Sequence, residues 1–324
     1  MLNSERGWRI ALFVALLPAV YLATVFVLSG LRVGGSQVLQ QAIGNDNRPG
    51  GIGHTLERLR EVERTGPVDI LFIGSSHAYR GFDPRFFARL GFSSFNLGSK
   101  AQSPLNTYYL LRRYWPRLRP KLVVMEAYPM ALTVDGLESF FDLTVNAAPS
   151  VEMLRMALAV GHVHALNALA VAYLGGFWHP VARLAQIDVP GQTYIAGGYV
   201  ESPGQVGAVK PAGEQLVDVS DVQLEYLRRV IGFVESQGAR IVLVVHPLPK
   251  RTLAGLRNYQ EASSRIVSVA SQTSVPFWDF NQDLELDDER NFKDLDHLNA
   301  SGVGKFDEVL IERMKRQGWL NPVR

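Results

Sequence analysis

Two short segments near opposite ends of the chain carry side chains suited to nucleophilic chemistry. Ser75, Ser76 and His77 directly follow an apolar run, and Asp294 and His297 lie three residues apart close to the other end. A serine hydroxyl is a poor nucleophile until an imidazole accepts its proton, and a carboxylate usually orients that imidazole. Because Asp294 and His297 share one loop, a single segment could deliver both groups. The residue types therefore predict a site where the two segments meet.

Two alternatives stand beside this interpretation. A lone Gly-Ser-Ser is also an ordinary polar turn after a strand, so the serines alone would not indicate a site. Asp296 is a second carboxylate in the same loop, directly before His297. Because an adjacent side chain generally points away from its neighbour, we expect Asp294 rather than Asp296 to orient the imidazole.

The segment before the serines predicts where they lie in the fold. Ile70, Leu71, Phe72 and Ile73 form a continuous apolar run that stops at Gly74, which is typical of a strand buried on both faces of a parallel sheet. Open α/β sheets bind ligands beyond the carboxyl ends of their strands. The serines are therefore predicted to lie at a ligand crevice.

The rest of the chain repeats this alternation of buried strands and helices. Strands are predicted at residues 70–73, 92–97, 121–127, 239–245 and 275–280. Helices are predicted from Asp83-Pro84, from Ser103-Pro104 to Trp115, from a Ser220 to Gln223 capping box to residue 237, and over 253–272 and 303–317. The order predicts a three-layer α/β/α fold with a mainly parallel five-stranded sheet of the flavodoxin type.

Residues of about 130–217 interrupt the alternation and are predicted to be a helical insertion. The tract 151–177 is rich in Ala, Leu and Val and is long enough to suggest a second membrane span. Six residues of the tract argue against a span, chiefly because polar groups in lipid are costly. These are Glu152, Arg155, Gly161, His162, His164 and Asn167. The insertion is instead expected to cover the site as a lid or to touch a membrane surface, with His162, His164 and His179 as packing or surface residues.

The first thirty residues predict a membrane anchor. Residues 10–28 contain no charge and would form a helix of roughly 28 Å, near the thickness of a hydrocarbon core. A cleaved signal peptide is the alternative, but no clean small-x-small cleavage site follows the run. Two arginines, Arg6 and Arg9, precede the apolar run, whereas only Arg32 directly follows it. Because positive charge is enriched on the cytoplasmic side, this favours a cytoplasmic amino terminus and an extracytoplasmic or periplasmic location for the rest of the chain. The predicted division is an anchor at 1–33, a linker with a short helix at 34–66, and an α/β domain at 67–324.

Composition limits the remaining function classes. The 324 residues are 47% hydrophobic, which is ample for a large core, and the formal net charge of +2 gives no sign of nucleic-acid binding. Cysteine is absent, which excludes disulfides, thiolate metal sites and cysteine nucleophiles. A metal site drawing on His77, His246, Asp294, Asp296 and His297 lacks any familiar ligand spacing, so neither metal nor cofactor is expected.

The serine, aspartate and histidine described above resemble the sequence blocks of the SGNH or GDSL hydrolases. Their Gly-Asp-Ser block resembles Gly74-Ser75-Ser76, which maps the nucleophile onto Ser76, and their Asp-x-x-His block resembles Asp294 to His297. Their second-block glycine resembles Gly98, whose amide would join that of Ser76 in an oxyanion hole. The form with two serines and an amino-terminal anchor is more similar to the envelope branch, which includes DltD-like and polysaccharide O-acetylation proteins.

One departure from the family pattern concerns the third block, which normally supplies an oxyanion-hole asparagine. The matching strand end here reads Met125 to Pro129 and contains none. Removing one such donor typically costs roughly 10²–10³ in turnover. Asn96, Asn106 and Tyr128 are alternative donors, and the set of expected substrate or support residues also includes Ser75, His77, Glu126, His246 and Asn299.

The resemblance implies a membrane-anchored serine esterase or O-acyltransferase that acts on the acyl groups of an envelope glycopolymer. These acyl groups are expected to be acetyl. The resemblance implies no cofactor, and it suggests a membrane-bound O-acyltransferase as partner. A catalytically silent scaffold with the same fold, in a polysaccharide modification or export complex, is the alternative that the missing asparagine favours.

Overall fold

The computed structural model describes residues 4–33, 36–45, 47, 50–51, 53–183, 189–204 and 213–320. Gly34 and Gly35, which open the predicted linker, and parts of the insertion at 184–188 and 205–212 lie outside these ranges. Nine strands are present in the described ranges. They are β1 Arg32–Val33, β2 Ser36–Gln37, β3 Ile70–Ile73, β4 Ser94–Asn96, β5 Leu122–Glu126, β6 Thr193–Ile195, β7 Tyr199–Glu201, β8 Arg240–Val245 and β9 Phe277–Asp279.

The helices account for most of the remaining described chain. The amino-terminal half contains α1 Ser4–Ser29, α2 Val38–Ala42, α3 Thr55–Val62, α4 Ser76–Gly81, α5 Pro84–Ala88, α6 Pro104–Leu118, α7 Leu137–Asn146 and α8 Val151–Val160. The remainder contains α9 Val163–Gly175, α10 Asp221–Ser236, α11 Lys250–Gly255, α12 Tyr259–Gln272, α13 Phe280–Asp283 and α14 Ala300–Arg316.

Five strands form one parallel sheet in the order β4-β3-β5-β8-β9. The alternation of the strand side chains builds a core on each face. Leu71 and Ile73 point into a cluster with α3, α6, α10 and α12, whereas Ile70 and Phe72 point into a cluster with α4, α5 and α14. The predicted three-layer α/β/α fold with a parallel five-stranded sheet is confirmed.

The strand order fixes where a ligand crevice can form. In chain order the five strands run 2-1-3-4-5, so the connections from β3 and β5 leave towards opposite sides of the sheet. A crevice opens at such a switch point, beyond the carboxyl ends of the strands. Here β3 and β5 are paired with Ile73 opposite Met125, so Gly74 and Glu126 begin the loops at that crevice.

Two predicted helix features are wrong in detail. Helix α6 continues through Pro116 to Leu118, because the fully buried Leu118 outweighs the loss of one backbone hydrogen bond at the proline. The Ser220 to Gln223 capping box is not formed. The Gln223 side chain instead accepts from the amide of Leu105 at 3.0 Å and donates to the carbonyl of Val134 at 2.9 Å.

Two long predicted helices are each broken into two. The tract 151–177 is divided between α8 and α9 at Gly161, which adopts a left-handed conformation with φ of 69° and ends α8. The tract 253–272 is divided between α11 and α12, and the break at Leu256 is secured by the pairing of that residue with Gln215. A glycine stands at each break, Gly161 directly after α8 and Gly255 at the end of α11.

Helices α1 and α3 differ in how they contact the body of the protein, by which we mean the five-stranded sheet and the helices packed on it. Arg6–Ser29 is the one described helix long and apolar enough to cross a membrane, and such a helix suits either an anchor or a signal sequence. Helix α3, from the predicted linker, packs into the body through Leu56, Leu59 and Val62, which are buried. The buried Arg58 of α3 also donates to the carbonyl of Gly198 at 2.9 Å.

Candidate active site

Ser76 stands where β3 ends and α4 begins. Gly74 makes the turn with φ of 147°, and a Cβ there would lie 2.6 Å from the Cβ of Glu126, so only glycine fits. Ser75 caps α4, its Oγ accepting from the amide of His77 at 3.2 Å. Ser76 is therefore the first residue of a short helix at the crevice predicted from the strand order.

The structure brings both chemically important segments together. His297 Nε2 lies 2.8 Å from Ser76 Oγ, and His297 Nδ1 lies 3.0 Å and 3.1 Å from the two carboxylate oxygens of Asp294. A neutral imidazole with its proton on Nδ1 can accept the serine proton at Nε2 while Asp294 fixes the tautomer. The three side chains thus have the geometry of a serine nucleophile, its base and an orienting carboxylate.

Backbone contacts hold Asp294 in this position. Its Oδ1 accepts from the amides of Asp296 at 2.9 Å and His297 at 2.8 Å. Although burial raises the pKa of Asp294, the hydrogen bonds and charge of His297 hold it well below its usual range. Asn299 supports the same loop, because it caps α14 and donates to the carbonyl of Phe292 at 3.3 Å.

His77 is a second imidazole beside the base, and Asp296 is its partner. His77 Nε2 lies 2.9 Å from the carbonyl oxygen of Asp296 and 3.4 Å from its carboxylate, and the His77 and His297 rings stack with centroids 4.9 Å apart. Burial lowers the pKa of His77, but the charges of Asp296 and Glu126 raise it to about 9. His77 is therefore an imidazolium near neutral pH.

The positive charge of His77 lowers the proton affinity of His297. Burial lowers the pKa of His297, and the charge of His77 lowers it further against the opposing effect of Asp294. The base is thus held neutral, the form that can accept a proton. The sequence gives no sign of the pair formed by His77 and Asp296, because the two residues come from distant segments.

The five predicted oxyanion groups occupy different positions. Among the described residues, the Ser76 amide has no hydrogen-bond acceptor, which leaves it available to a developing oxyanion. The Gly98 amide instead donates to Asn96 Oδ1 at 3.1 Å, and Asn96 Nδ2 donates to the carbonyl of Ala78 at 2.6 Å. Asn106 is committed to the start of α6, where its Oδ1 accepts from the Ser103 amide at 3.1 Å.

The structure therefore does not place the Gly98 amide or the Asn96 side chain in the crevice as donors. Gly98 has a different requirement, because a Cβ there would lie 3.0 Å from the Ala78 side chain and from backbone atoms of α4. Tyr128 is nearer the site, with its ring 4.6 Å from that of His77. Burial, then the carboxylates of Asp296 and Glu126, raise the pKa of Tyr128 well above its usual range, so it stays a neutral donor.

Glu126 and His246 support the turn that carries Ser76. Glu126 accepts from the amides of Ser75 at 2.8 Å and Tyr128 at 2.5 Å, which ties β5 to the end of β3. His246 is buried against Phe82, and burial followed by the charge of His77 lowers its pKa well below its usual range. His246 is therefore neutral and packs beneath α4.

A cation site would have to share atoms with these contacts. His77, Asp296 and His297 offer ligand atoms within 4.8 Å of one another, whereas the wider set with His246 and Asp294, which the sequence did not favour, is not brought together in the described chain. The Nε2 atoms of both imidazoles are already hydrogen-bonded, to Asp296 and Ser76. We therefore assign the three residues to the contacts described above.

Comparisons with known proteins give distant structural similarity only. No protein-family model matches the chain, and no curated protein matches it. A GDSL-like lipase from Bacteroides thetaiotaomicron aligns with a TM-score of 0.42 and 14% identity over 82% of this chain and 98% of its own. A carbohydrate acetylesterase from Sinorhizobium meliloti (TM-score 0.39, 12% identity) covers 78% of this chain and 100% of its own. An aryl esterase from M. smegmatis (0.36, 13%) covers 78% and 99%. At such low similarity none of the roles assigned here depends on these proteins.

Proposed function

We propose that the chain is a membrane-anchored serine esterase or O-acyltransferase of the SGNH type. The observation that carries the proposal is the distance of 2.8 Å between His297 Nε2 and Ser76 Oγ, with Asp294 on the opposite ring nitrogen. This arrangement joins residues 221 positions apart, so chance proximity along the chain cannot produce it.

The geometry supports one sequence of proton and bond movements. Ser76 Oγ attacks the acyl carbonyl while His297 Nε2 takes its proton, and the Ser76 amide donates to the oxyanion. His297 then returns the proton to the leaving alcohol, which leaves an acyl group on Ser76. Water or a sugar hydroxyl accepts that acyl group in the second half, with His297 again as base.

The envelope glycopolymer and the anchor are supported by sequence features. Helix α1 would hold the body at the membrane, with Arg6 and Arg9 on the cytoplasmic side and the body outside. The two-serine block and this anchor resemble the envelope branch of the family. That resemblance supports an acylated glycopolymer as the substrate, with acetyl as the expected acyl group. It also supports a membrane-bound O-acyltransferase as the partner.

A fluorophosphonate probe tests the proposal directly. The full chain in detergent should be labelled covalently, and Ser76→Ala should abolish the labelling. Ser75→Ala is the matched control, because it removes the neighbouring hydroxyl at a cost of about 1 kcal/mol in capping and leaves the nucleophile. Labelling that persists in Ser76→Ala would contradict the assignment.

The silent scaffold is the second candidate function. It is favoured by the commitment of the Gly98 amide to Asn96, which leaves Ser76 as the one predicted backbone donor without an acceptor in the described chain. A scaffold would not react with the probe and would not release p-nitrophenol from p-nitrophenyl acetate. The absence of both reactions in well-folded protein would favour this function over acyl chemistry.

A further inference from the structure

Outside α1, the described chain concentrates its exposed large apolar side chains on α8, α9 and the turn that follows. The members that share this property are Val151, Leu154, Leu158, Val163, Leu166, Tyr173, Phe177 and Trp178. Elsewhere such side chains are scattered singly, as at Leu90 and Val267. Contiguous exposed apolar surface marks a site of contact with a partner or a membrane.

Helix α9 differs from an ordinary surface helix in composition. Its 13 residues contain no charged side chain, apart from any protonated histidine, and Leu166 and Tyr173 are among its exposed residues. It is too short to cross a bilayer, which needs about 20 apolar residues. An apolar stretch of this length is typical of a buried core helix or of a re-entrant or interfacial membrane segment, and the exposure of α9 favours the membrane segment.

Contacts with α1 give the position of α9 along the anchor. The Tyr21 hydroxyl donates to Asn167 Oδ1 at 2.7 Å, so the polar group of Asn167 has a partner within the apolar helices. Near the carboxyl end of α1, Trp178 Nε1 donates to the carbonyl of Phe26 at 2.9 Å, and the Phe26 and Phe177 rings lie 5.9 Å apart. Helix α9 therefore lies alongside the last third of α1.

The dimensions of α1 set the depth of these contacts. Its uncharged stretch at 10–28 is roughly 28 Å long against about 30 Å of hydrocarbon, so all of it is needed to cross. Tyr21 lies roughly 12 Å along the axis from the end at Ser29, and Phe26 roughly 4 Å. Asn167 is then at the depth of the outer leaflet, and Trp178 at the interface where tryptophan is enriched.

We propose that the face formed by α9 and the Phe177-Trp178 turn is immersed in the outer leaflet of the bilayer beside α1, so that the catalytic body rests on the membrane. The occupant of the face is the lipid of the bilayer, because the face is continuous with the apolar helix through the Tyr21 and Phe26 contacts. The proposal rests on the anchor in the proposed function and not on its acyl chemistry.

Site-directed fluorescence tests the immersion, because the chain contains no cysteine. Leu166→Cys and Tyr173→Cys place an NBD label on the face, Leu17→Cys places it in α1, and Val222→Cys places it on α10, at positions that are all exposed. Each full-length variant is reconstituted singly into phosphatidylcholine–phosphatidylglycerol nanodiscs. Quenching by doxyl-labelled lipid is then compared with quenching by aqueous iodide.

Immersion predicts that labels at 166 and 173 behave like the label at 17, with a lipid-to-iodide quenching ratio several-fold above that at 222. Iodide quenching at 166 and 173 equal to that at 222, with lipid quenching retained at 17, would overturn the proposal and leave the anchor intact. Labels shielded from both quenchers would also overturn it, because the face would then be covered by protein. Lipid quenching absent at 17 would remove the anchor and the proposal together. Ester turnover in the same samples reports separately on Ser76.

Discussion

At the scale of single residues, the site contains two pairs of imidazole and carboxylate rather than one. Asp294 orients His297, which contacts Ser76, and Asp296 holds His77 against the same His297 ring. The preference for Asp294 could be predicted from its spacing to His297 along the loop. The role of Asp296 could not, because its partner His77 lies 219 positions away.

Replacing Asp294 by Asn is expected to reduce kcat by roughly 10⁴, because the amide would favour the wrong tautomer of His297. Hydrolysis of p-nitrophenyl acetate measures the change, and Asp218→Asn at an exposed position is the control. Full activity in Asp294→Asn together with its loss in Asp296→Asn would transfer the orienting role to Asp296.

Replacing His77 by Gln is expected to move the acid limb of the pH profile of kcat/KM to higher pH. His297 must be neutral to act as base, and the charge of His77 lowers its pKa, so removal of that charge raises it. The rates should converge at higher pH, where His297 is neutral in both proteins. The control is His162→Gln, at the exposed histidine that caps α9, and it should leave the acid limb in place. An unshifted acid limb in His77→Gln would show that the charge of His77 does not reach His297.

At the scale of elements, the glycine turn between β3 and α4 is the tightest constraint near the site. Gly74→Ala is expected to cost about 1–3 kcal/mol in unfolding free energy, because the new Cβ meets the Cβ of Glu126 at 2.6 Å. Denaturant unfolding checks this against Gly66→Ala, where a Cβ meets nothing within 4 Å and the change should stay within about 0.5 kcal/mol. Equal effects in the two variants would mean that the turn relaxes freely.

The junction of α14 with α5 predicts a pH-dependent stability. Asp307 is fully buried, its Oδ2 accepts from the Asp83 amide at 2.9 Å, and burial raises its pKa well above its usual range. The folded chain therefore keeps this proton at a pH where the unfolded chain, with a pKa near 4, has lost it. This stabilising contribution is present below about pH 4 and is lost as the pH rises towards the raised pKa.

Asp307→Asn removes that titration while it keeps an oxygen that can accept from Asp83. The variant should match the parent near pH 4 and exceed it at pH 8 by about 1 kcal/mol or more. Chemical unfolding at both pH values measures the difference, and Glu308→Gln on the exposed face of α14 is the control. A constant difference between the two pH values would show that Asp307 does not titrate as described.

Elements were predictable from sequence where one residue determines the backbone. The β3 bounds and the caps at Asp83 and Ser103 are such cases. Predictions failed where distant packing decides the outcome. Burial of Leu118 carries α6 past Pro116, and contacts with Leu105 and Val134 draw Gln223 away from its capping role. The pairing of the Gly98 amide with Asn96 could not be predicted for the same reason, because it depends on how β4 meets α4.

At the scale of the whole molecule, the proposed anchor predicts on which side of the membrane the rest of the chain lies. A membrane-impermeant maleimide should label Val267→Cys, exposed on α12, in intact spheroplasts without lysis, because the arginines before α1 favour a cytoplasmic amino terminus. The cysteine-free parent gives the background. Labelling that requires lysis would reverse the proposed orientation.

The contact between Ser76 and His297 also determines when a newly made chain could become reactive. Ser76 belongs to the first strand-to-helix turn of the sheet, whereas His297 belongs to the loop before the last helix. A nascent polypeptide that has emerged only as far as β9 would possess its nucleophile and no base. Any acyl chemistry must therefore await synthesis of nearly the whole sheet and of the loop that follows it.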